Sequence, residues 1–206
     1  MCYNFIIQIL NNQKINMTRS QAPLSLEFIL LGFLSQNPIH GYDLYKKISK
    51  FESISLVWNI KQSQLYALLD KLEDVGLLIS NLVPGEAFLM RKLFQITPIG
   101  RQAFLTWACS PVAHGRDMRQ EFLAKLYFAQ KSGAEVSLEL IEEQTTLCAE
   151  WLSSFQISYA NTTNEQSYER MIFQYRISQT QAMLEWLDYC RAELQGVFPR
   201  NSGGKK

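Results

Sequence analysis

The sequence predicts a mainly α-helical protein of two parts, and three observations support this fold class. The first part, from Leu24 to Gly76, contains three apolar patterns of helical length. Two strand-like runs follow it up to Ile96, with basic residues in the second run. Beyond Pro111, three further helical patterns fill the rest of the chain. Three helices followed by a strand pair are typical of a winged helix-turn-helix, here a three-helix domain with a two-stranded wing, which precedes a helical domain.

The overall composition leaves the class of partner open. The 206 residues include 20 lysines and arginines and 19 aspartates and glutamates, so that the net charge is +1 and DNA binding would have to depend on local charge. Four widely spaced cysteines without a C-x-x-C pair predict reduced thiols in a cytoplasmic protein. The two histidines lack a second soft ligand at suitable spacing, so neither a metal nor a cofactor is predicted. No apolar run approaches the roughly 20 residues that span a bilayer, and no membrane partner is expected.

Residues 1–23 are interpreted as an N-terminal extension or arm. The opening MCYNFIIQIL is apolar, but it lacks the basic flank and the small-residue cleavage site of a signal peptide. Translation starts at Met1 or at Met17, and a start at Met17 would leave a short polar arm before the first helix. The alternative is an ordered extra helix that packs on a dimer.

The first two predicted helices each have one apolar face. The first lies between Leu24 and Gln36, and its helical spacing predicts a buried stripe. This stripe comprises Leu26, Ile29, Leu30, Phe33 and Leu34. The second begins at about Gly41, and its inward set is Leu44, Tyr45, Ile48 and Phe51. Its outer residues Lys46, Lys47 and Lys50 suit phosphate contact and a solvated charged surface equally well.

The third helix is the predicted recognition helix. Its inward stripe is Leu65, Leu68, Leu69 and Leu72, and Gly76 can adopt the left-handed conformation that closes a helix. We expect its outer N-terminal part to contact DNA through Lys61, Gln62, Ser63, Gln64 and Tyr66. Amides can bond adenine edges, and hydroxyls can reach bases or backbone oxygens. The acidic residues Asp70, Glu73 and Asp74 lie toward the other end, which fits insertion by the N-terminus. On periodicity alone, a small amphipathic helix packed on two others is the alternative.

The wing is predicted from two strand-like runs. Leu77 to Val83 and Phe88 to Ile96 flank the turn residues Pro84, Gly85 and Glu86. Arg91 and Lys92 are adjacent and therefore on opposite faces of a strand, so at least one can reach a phosphate. Thr97 then caps a fourth helix that has Pro98 at its first position. Trp107 in that helix is predicted to be a core or dimer contact rather than a ligand platform.

Motifs throughout this first part are similar to those of the PadR family of transcriptional regulators. They are His40-Gly41-Tyr42, Gln64-Leu65-Tyr66, Leu72-Glu73, Gly76-Leu77, Arg91-Lys92, Thr97-Pro98 and Gly100-Arg101. The resemblance covers Leu24 to about Arg101. It implies that residues 61–75 form the recognition helix, that Tyr66 contacts the DNA backbone, and that Arg91 and Lys92 are the basic pair of the wing. The sequence departs from the family where Lys61 and Gln62 stand, because the family often has a small hydroxyl residue or proline there.

The second half predicts helices at about Met118–Gln130, Glu135–Tyr159 and Gln166–Leu194. The last two are long and joined by a short loop, so they should pair antiparallel, and their apolar faces extend further than one neighbour can cover. We therefore predict a homodimer through these helices, with a monomeric helical domain as the alternative. The domains predicted are 24–110 for DNA binding and 111–196 for dimerisation, with a flexible tail at 197–206. Four aromatic residues either line an effector pocket or pack in the core: Tyr127, Trp151, Tyr175 and Trp186.

The predicted function is that of a cytoplasmic DNA-binding transcriptional regulator, and specifically a repressor. As a homodimer it would bind an inverted-repeat operator with half-sites roughly 34 Å apart. The family resemblance implies release by a small hydrophobic or phenolic ligand that changes the shape of the dimer. An enzyme is not predicted, because no nucleophile with a base and no paired carboxylates stand out. The alternative is a winged-helix protein-interaction adaptor without sequence-specific DNA binding, against which the polar outer face of the third helix argues.

Overall fold

The structure is a computed structural model that describes residues 25–51, 53–84 and 90–197. It forms two compact units that divide between Cys109 and Ser110. The fold is mainly α with a small antiparallel sheet in the first unit, which confirms the predicted fold class. The predictions for residues 1–23, for Gly85 and Glu86 and for most of the tail lie outside the described residues. No helix in the described ranges has both the length and the apolar character needed to cross a membrane.

The helices of the first unit surround an apolar core. They are α1 (Ser25–Leu34), α2 (Gly41–Lys46), α3 (Gln62–Asp74) and α4 (Pro98–Ala108). The five residues predicted for the inward stripe of α1 are all buried, as predicted. Helix α2 is shorter than predicted, because the chain passes into a π-helical turn, Lys47–Phe51, and then a 3-10 helix, Ser53–Leu56. Leu44 and Ile48 are nevertheless buried, as the pattern predicts.

The sheet has three strands rather than the two predicted. Strands β2 (Leu78–Pro84) and β3 (Met90–Ile96) form the antiparallel wing hairpin, and β1 (Ile39–His40) pairs with the other edge of β3. The sequence could not predict β1, because two residues are too few to show the alternation that marks a strand. Its pairing partners Phe94 and Leu93 lie far along the chain.

The chain joins α3, the wing and α4 through residues of the family motifs. Gly76 has a φ of +73° and closes α3, as predicted. The hydroxyl of Thr97 caps α4 by accepting the backbone N–H of Gly100 (3.0 Å), and it lies 2.9 Å from the carbonyl oxygen of Gly76. A Cβ atom at Gly100 would overlap the backbone just before β2, so only glycine fits there. Arg101 donates to the carbonyl oxygen of Ser35 (2.9 Å), immediately after α1. These contacts fix the start of α4 to the end of α3 and to the end of α1.

Trp107 belongs to the core of the first unit. It is only 7% exposed, and its ring stacks on that of Phe28 with centroids 5.2 Å apart. Phe104 contributes a second aromatic contact at 6.2 Å. The prediction of a core role rather than a ligand platform therefore holds within this unit.

The second unit contains three helices after a 3-10 helix, Gly115–Arg119. They are α5 (Glu121–Ser132), α6 (Ala134–Ala160) and α7 (Ser167–Leu194). Their bounds lie within a few residues of the predicted helices, and α6 and α7 pack along each other. The buried cluster between them comprises Val112, Met118, Phe122, Leu126, Ala129, Leu140, Ile141, Cys148 and Leu187.

Several apolar residues of α6 and α7 are not buried in the single chain. On α7, Tyr168, Met171 and Tyr175 are 70%, 61% and 66% exposed. On α6, Trp151 and Phe155 are only half-buried. The apolar pattern of these helices is therefore wider than the surface that the other helices of this unit cover.

Four polar residues are buried in the second unit, Lys125, Ser137, Gln144 and Thr180, and two of them bond the chain segment before its helices. Lys125 is 2% exposed, and its ammonium group donates to the carbonyl oxygen of Ser110 (2.9 Å). Gln144 is fully buried, and its side-chain oxygen accepts the backbone N–H of Val112 (2.7 Å). Both side chains satisfy the backbone of the segment that leads into this unit, and a helical period cannot reveal such a partner.

Candidate nucleic-acid interface

The N-terminal end of α3 presents a polar surface. Lys61 precedes the helix with extended backbone angles (φ −79°, ψ 147°), and its side chain makes no capping hydrogen bond. The side chains of Lys61, Gln62, Ser63 and Gln64 are all exposed, whereas Leu65 and Leu69 further along the helix are fully buried. The first backbone N–H groups of a helix have no partner within it and carry partial positive charge. This end of α3 therefore offers donors, amides and a cation together.

Tyr66, also predicted to contact DNA, is half-buried and is held by α2. Its ring lies directly against Gly41, the first residue of that helix. A Cβ atom at Gly41 would come within 2.7 Å of the Tyr66 ring and 3.1 Å of its hydroxyl oxygen. The glycine therefore leaves the space that the ring occupies. Sequence spacing could not reveal this pairing, although both residues belong to the family motifs.

The C-terminal half of α3 is joined to the wing through Glu73. One of its carboxylate oxygens accepts the backbone N–H (3.1 Å) and the hydroxyl (2.6 Å) of Ser80 on β2. The other lies 3.3 Å from the ammonium nitrogen of Lys92 on β3. Asp70, one turn earlier, lies 3.6 Å from the same ammonium group. The sequence predicted these acidic residues only as a repulsive end of the helix, so this contact was missed.

The charges of this cluster favour the folded state over a wide pH range. The hydrogen bond from the Ser80 hydroxyl, together with Lys92, holds the pKa of Glu73 below its ordinary value of 4.5 despite some burial. The carboxylate of Glu73 raises the pKa of Lys92 above 10.5. The contribution of Glu73 to stability is thus present above pH 4.5 and is lost as the pH falls through its lowered pKa. That of Lys92 is present below pH 10.5 and is lost as the pH rises through its raised pKa.

The two basic residues of the wing have different surroundings. Lys92 is engaged by Glu73 and Asp70. Arg91 is exposed, and within residues 25–51, 53–84 and 90–197 its side chain makes no hydrogen bond or ion pair. Adjacent residues of a strand point to opposite faces, as the sequence predicted. Arg91 is therefore the cation of the wing that remains available to another molecule.

The lysines of the second predicted helix also differ among themselves. Lys47 donates to the side-chain oxygen of Gln36 (3.2 Å), and the ammonium of Lys46 lies 4.4 Å from the centre of the Tyr42 ring. Lys50 is exposed to solvent. Lys46 and Lys47 thus each contact a side chain of the same unit.

The second unit contains a cleft of about 360 Å³ between α6, α7 and the segment before the 3-10 helix. Two of the four aromatic residues predicted for an effector pocket, Trp151 and Tyr175, line it together with Phe155. Arg116 and Arg176 also line it, and the Arg176 guanidinium lies 5.4 Å from the centre of the Phe155 ring.

The other two predicted pocket residues lie elsewhere. Trp186 packs edge-on against Phe122, with ring centroids 6.0 Å apart. Tyr127 packs in the same manner on Phe128 at 5.0 Å. The structure therefore brings together only half of the predicted pocket set.

No metal centre is found in the part of the chain that the structure describes. It contains no group of three or more histidine, cysteine, aspartate or glutamate side chains placed to hold a metal ion. Cys109, Cys148 and Cys190 form no disulfide bond. Burial raises the pKa of Cys148 and raises that of Cys190 to about 11, so both stay protonated at neutral pH.

Two family models match the chain in succession. Residues 30–105 match the transcriptional regulator PadR-like family, and residues 118–195 match the virulence activator alpha C-terminal family. The negative transcriptional regulator PadR of Bacillus subtilis strain 168 is 27% identical over 134 residues, which cover 65% of this chain and 72% of that relative.

Similar chains also occur among solved structures. Bacillus subtilis PadR in complex with operator DNA is 23% identical, with a TM-score of 0.42 over 82% of this chain and 98% of that chain. The Vibrio cholerae virulence activator AphA is 28% identical, with a TM-score of 0.36 over 84% of this chain and 99% of that chain. The matched families and these relatives are described as regulators or activators rather than as enzymes.

Proposed function

Because the chain belongs to the PadR-like family of transcriptional regulators, we propose that it represses transcription by binding an inverted-repeat operator as a homodimer. The matched segment, residues 30–105, includes α2, α3 and the whole wing. Repression is supported by the name of the Bacillus subtilis relative, a negative transcriptional regulator.

The observation that carries this proposal is the exposed, uncapped N-terminus of α3. Its partial positive charge favours the approach of phosphates, and the amides of Gln62 and Gln64 can bond adenine edges in the major groove. Lys61 and Ser63 can reach bases or phosphates beside them. Arg91 extends the contact from the wing, and the Tyr66 hydroxyl can bond a backbone oxygen. The same surface thus provides both positioning contacts and base contacts.

The proposal is tested by selecting bound fragments from genomic DNA with the purified chain at moderate salt. We expect enrichment of an inverted repeat near a promoter. Gln64→Ala should weaken binding to that fragment by about 1–3 kcal/mol and relax the base preference at one position in each half-site. Lys131→Met, in the second unit, is the control that removes a charge outside the proposed surface.

Two outcomes would contradict the proposal. If no sequence is enriched, with or without an added effector, the result favours the winged-helix adaptor considered from the sequence. If an operator is found but transcription of the adjacent gene falls when this chain is removed, the chain activates rather than represses. The description of the second matched family as a virulence activator domain makes the latter measurement necessary.

The homodimer in this proposal is supported by the apolar surface of the second unit. Tyr168, Met171 and Tyr175 on α7 are each more than half exposed, as is Ile157 on α6 at 63%. Exposed apolar side chains that recur along paired helices are typical of surfaces that another chain covers. The two copies would then carry two recognition helices, which an inverted repeat matches by symmetry.

Sedimentation equilibrium tests the dimer directly. We expect the wild-type chain to have twice the monomer mass and Met171→Glu to shift it toward monomer, because a carboxylate would be buried in an apolar interface. Gln181→Glu adds the same charge at an exposed polar position of α7 and should leave the dimer intact. A wild-type chain that remains monomeric at concentrations where it binds DNA would refute the proposed homodimer.

We further propose that a small aromatic carboxylate of the hydrophobic or phenolic class binds the cleft of the second unit and lowers operator affinity. Three aromatic rings can pack on a ring, and the guanidinium groups of Arg116 and Arg176 can pair with a carboxylate. The volume of about 360 Å³ suits a small molecule. A ligand that weakens operator binding must itself bind less tightly to the operator complex, by the same factor.

Tryptophan fluorescence tests this ligand class, because Trp151 lines the cleft. Titration with 4-hydroxybenzoate should change the emission, whereas the uncharged 4-hydroxybenzamide should bind much more weakly. Arg176→Met should remove this preference for the carboxylate. Equal responses to the two compounds, or none to either, would exclude an aromatic carboxylate from the cleft.

A further inference from the structure

The contact between Lys92 and Glu73 joins the wing to the recognition helix. We infer that Lys92 is a positioning residue, which fixes the wing relative to α3 through Glu73 and does not neutralise a DNA phosphate. The inference rests on the proposed DNA binding, and it separates two residues, Arg91 and Lys92, that the sequence treats as one basic pair.

The geometry of Glu73 supports this role, because its two carboxylate oxygens hold different strands. One oxygen accepts two hydrogen bonds from Ser80 on β2, at 3.1 Å and 2.6 Å. The other pairs with Lys92 on β3 at 3.3 Å. Together with Asp70, these residues form what we call the wing clamp: Asp70, Glu73, Ser80 and Lys92. A rotation of the wing relative to α3 would have to break contacts to both strands.

The charge balance of the wing clamp disfavours phosphate contact by Lys92. Two carboxylates, those of Asp70 and Glu73, lie within 3.6 Å and 3.3 Å of its single ammonium group. A phosphate that approached this group would meet a cluster with one net negative charge, which disfavours its binding there. Arg91 makes no such pair among the described residues and is exposed.

The backbone of Lys92 is also fixed within the sheet. Its carbonyl oxygen lies 3.0 Å from Nδ1 of His40, and because a carbonyl only accepts, Nδ1 must donate the proton. His40 lies on β1 and is paired with Leu93 of β3, the residue that follows Lys92. Lys92 thus connects β1 through its backbone and α3 through its side chain, whereas its neighbour Arg91 projects away from this junction.

The side chains of the wing clamp can be changed without removing buried core. Those of Lys92 and Glu73 are 48% and 30% exposed. Lys92→Met keeps much of the apolar stem and removes the charge. Arg91→Met is the matched control, because it removes the neighbouring charge from the same strand. Glu73→Gln keeps an oxygen that can accept from Ser80 but loses the charge that faces Lys92.

The experiment measures two properties of these variants in the full-length chain. The first is the salt dependence of binding to a short duplex of random sequence. Arg91→Met should flatten the log–log slope by about 0.9 for each phosphate that is no longer neutralised, whereas Lys92→Met should leave the slope unchanged. The second is hydrogen exchange of the wing amides without DNA. Lys92→Met and Glu73→Gln should each speed this exchange several-fold. The wing amides of the double variant should exchange only slightly faster than those of either single variant, because both changes remove the same contact.

The inference is overturned if Lys92→Met flattens the slope as Arg91→Met does while the wing amides exchange at the wild-type rate. A wild-type chain that binds no duplex would refute the proposed function instead. Exchange would still decide the role of the clamp in that case, because unchanged protection in Lys92→Met would show that Lys92 does not hold the wing.

Discussion

The burial of the leucine stripe on α3 is the constraint on which the candidate interface depends. Leu65, Leu69 and Leu72 are at most 3% exposed and lie one helical turn apart. Because a helix turns once every 3.6 residues, burying these positions fixes the rotation of α3 and leaves the side of Ser63 and Gln64 facing outward. Rotating α3 to hide those polar side chains would expose the leucines, at a cost of roughly 1.5–3 kcal/mol each. The side chains that can meet DNA are thus selected by the core behind them.

Ion pairs within the chain determine which charged side chains of this surface are available to DNA. The chain as a whole has a net charge of only +1, so attraction to DNA must come from local surface. Within α3, three charged side chains of the later turns have partners: Lys71 pairs with Glu27 at 2.6 Å, and Asp70 and Glu73 pair with Lys92. Lys61 is exposed at the start of the helix, and Arg91 is exposed on the wing. The intramolecular pairs therefore leave Lys61 and Arg91 as exposed cations at the start of α3 and on the wing.

Local patterns in the sequence predicted much of the first unit, because they record interactions between near neighbours. The stripe of α1, the closing Gly76 and the Thr97 cap of α4 all follow from spacing or from one residue's conformational preference. Contacts across the chain were not predictable in this way. Strand β1 depends on its pairing with β3, and buried Gln144 depends on the backbone of Val112.

In the candidate site, too, local patterns were predictable from the sequence and contacts between distant residues were not. Exposure of Ser63 and Gln64 follows from helical period, and that of Lys61 and Gln62 follows from their position at the start of the helix. The different surroundings of Arg91 and Lys92 follow from neither. Adjacent basic residues look equivalent in a sequence, and only the position of Glu73 in the fold distinguishes them. The space that Gly41 leaves for the Tyr66 ring likewise depends on how α2 packs against α3, so neither helix alone predicts it. On α7, the wide apolar pattern was evident from the sequence, but its exposed part is defined only by the packing of α6.

Side-chain oxidation by hydroxyl radicals, with and without a duplex that the chain binds, would test the central claim most directly. The claim is that the start of α3 and the wing together form the DNA-contacting surface. Tyr66 on α3 and Met90, which is 56% exposed on β3, both react with the radical and should both be protected by DNA. Tyr189, 53% exposed on α7, is the reference and should react equally with and without DNA. Protection of Tyr189 without protection of Tyr66 and Met90 would contradict the account.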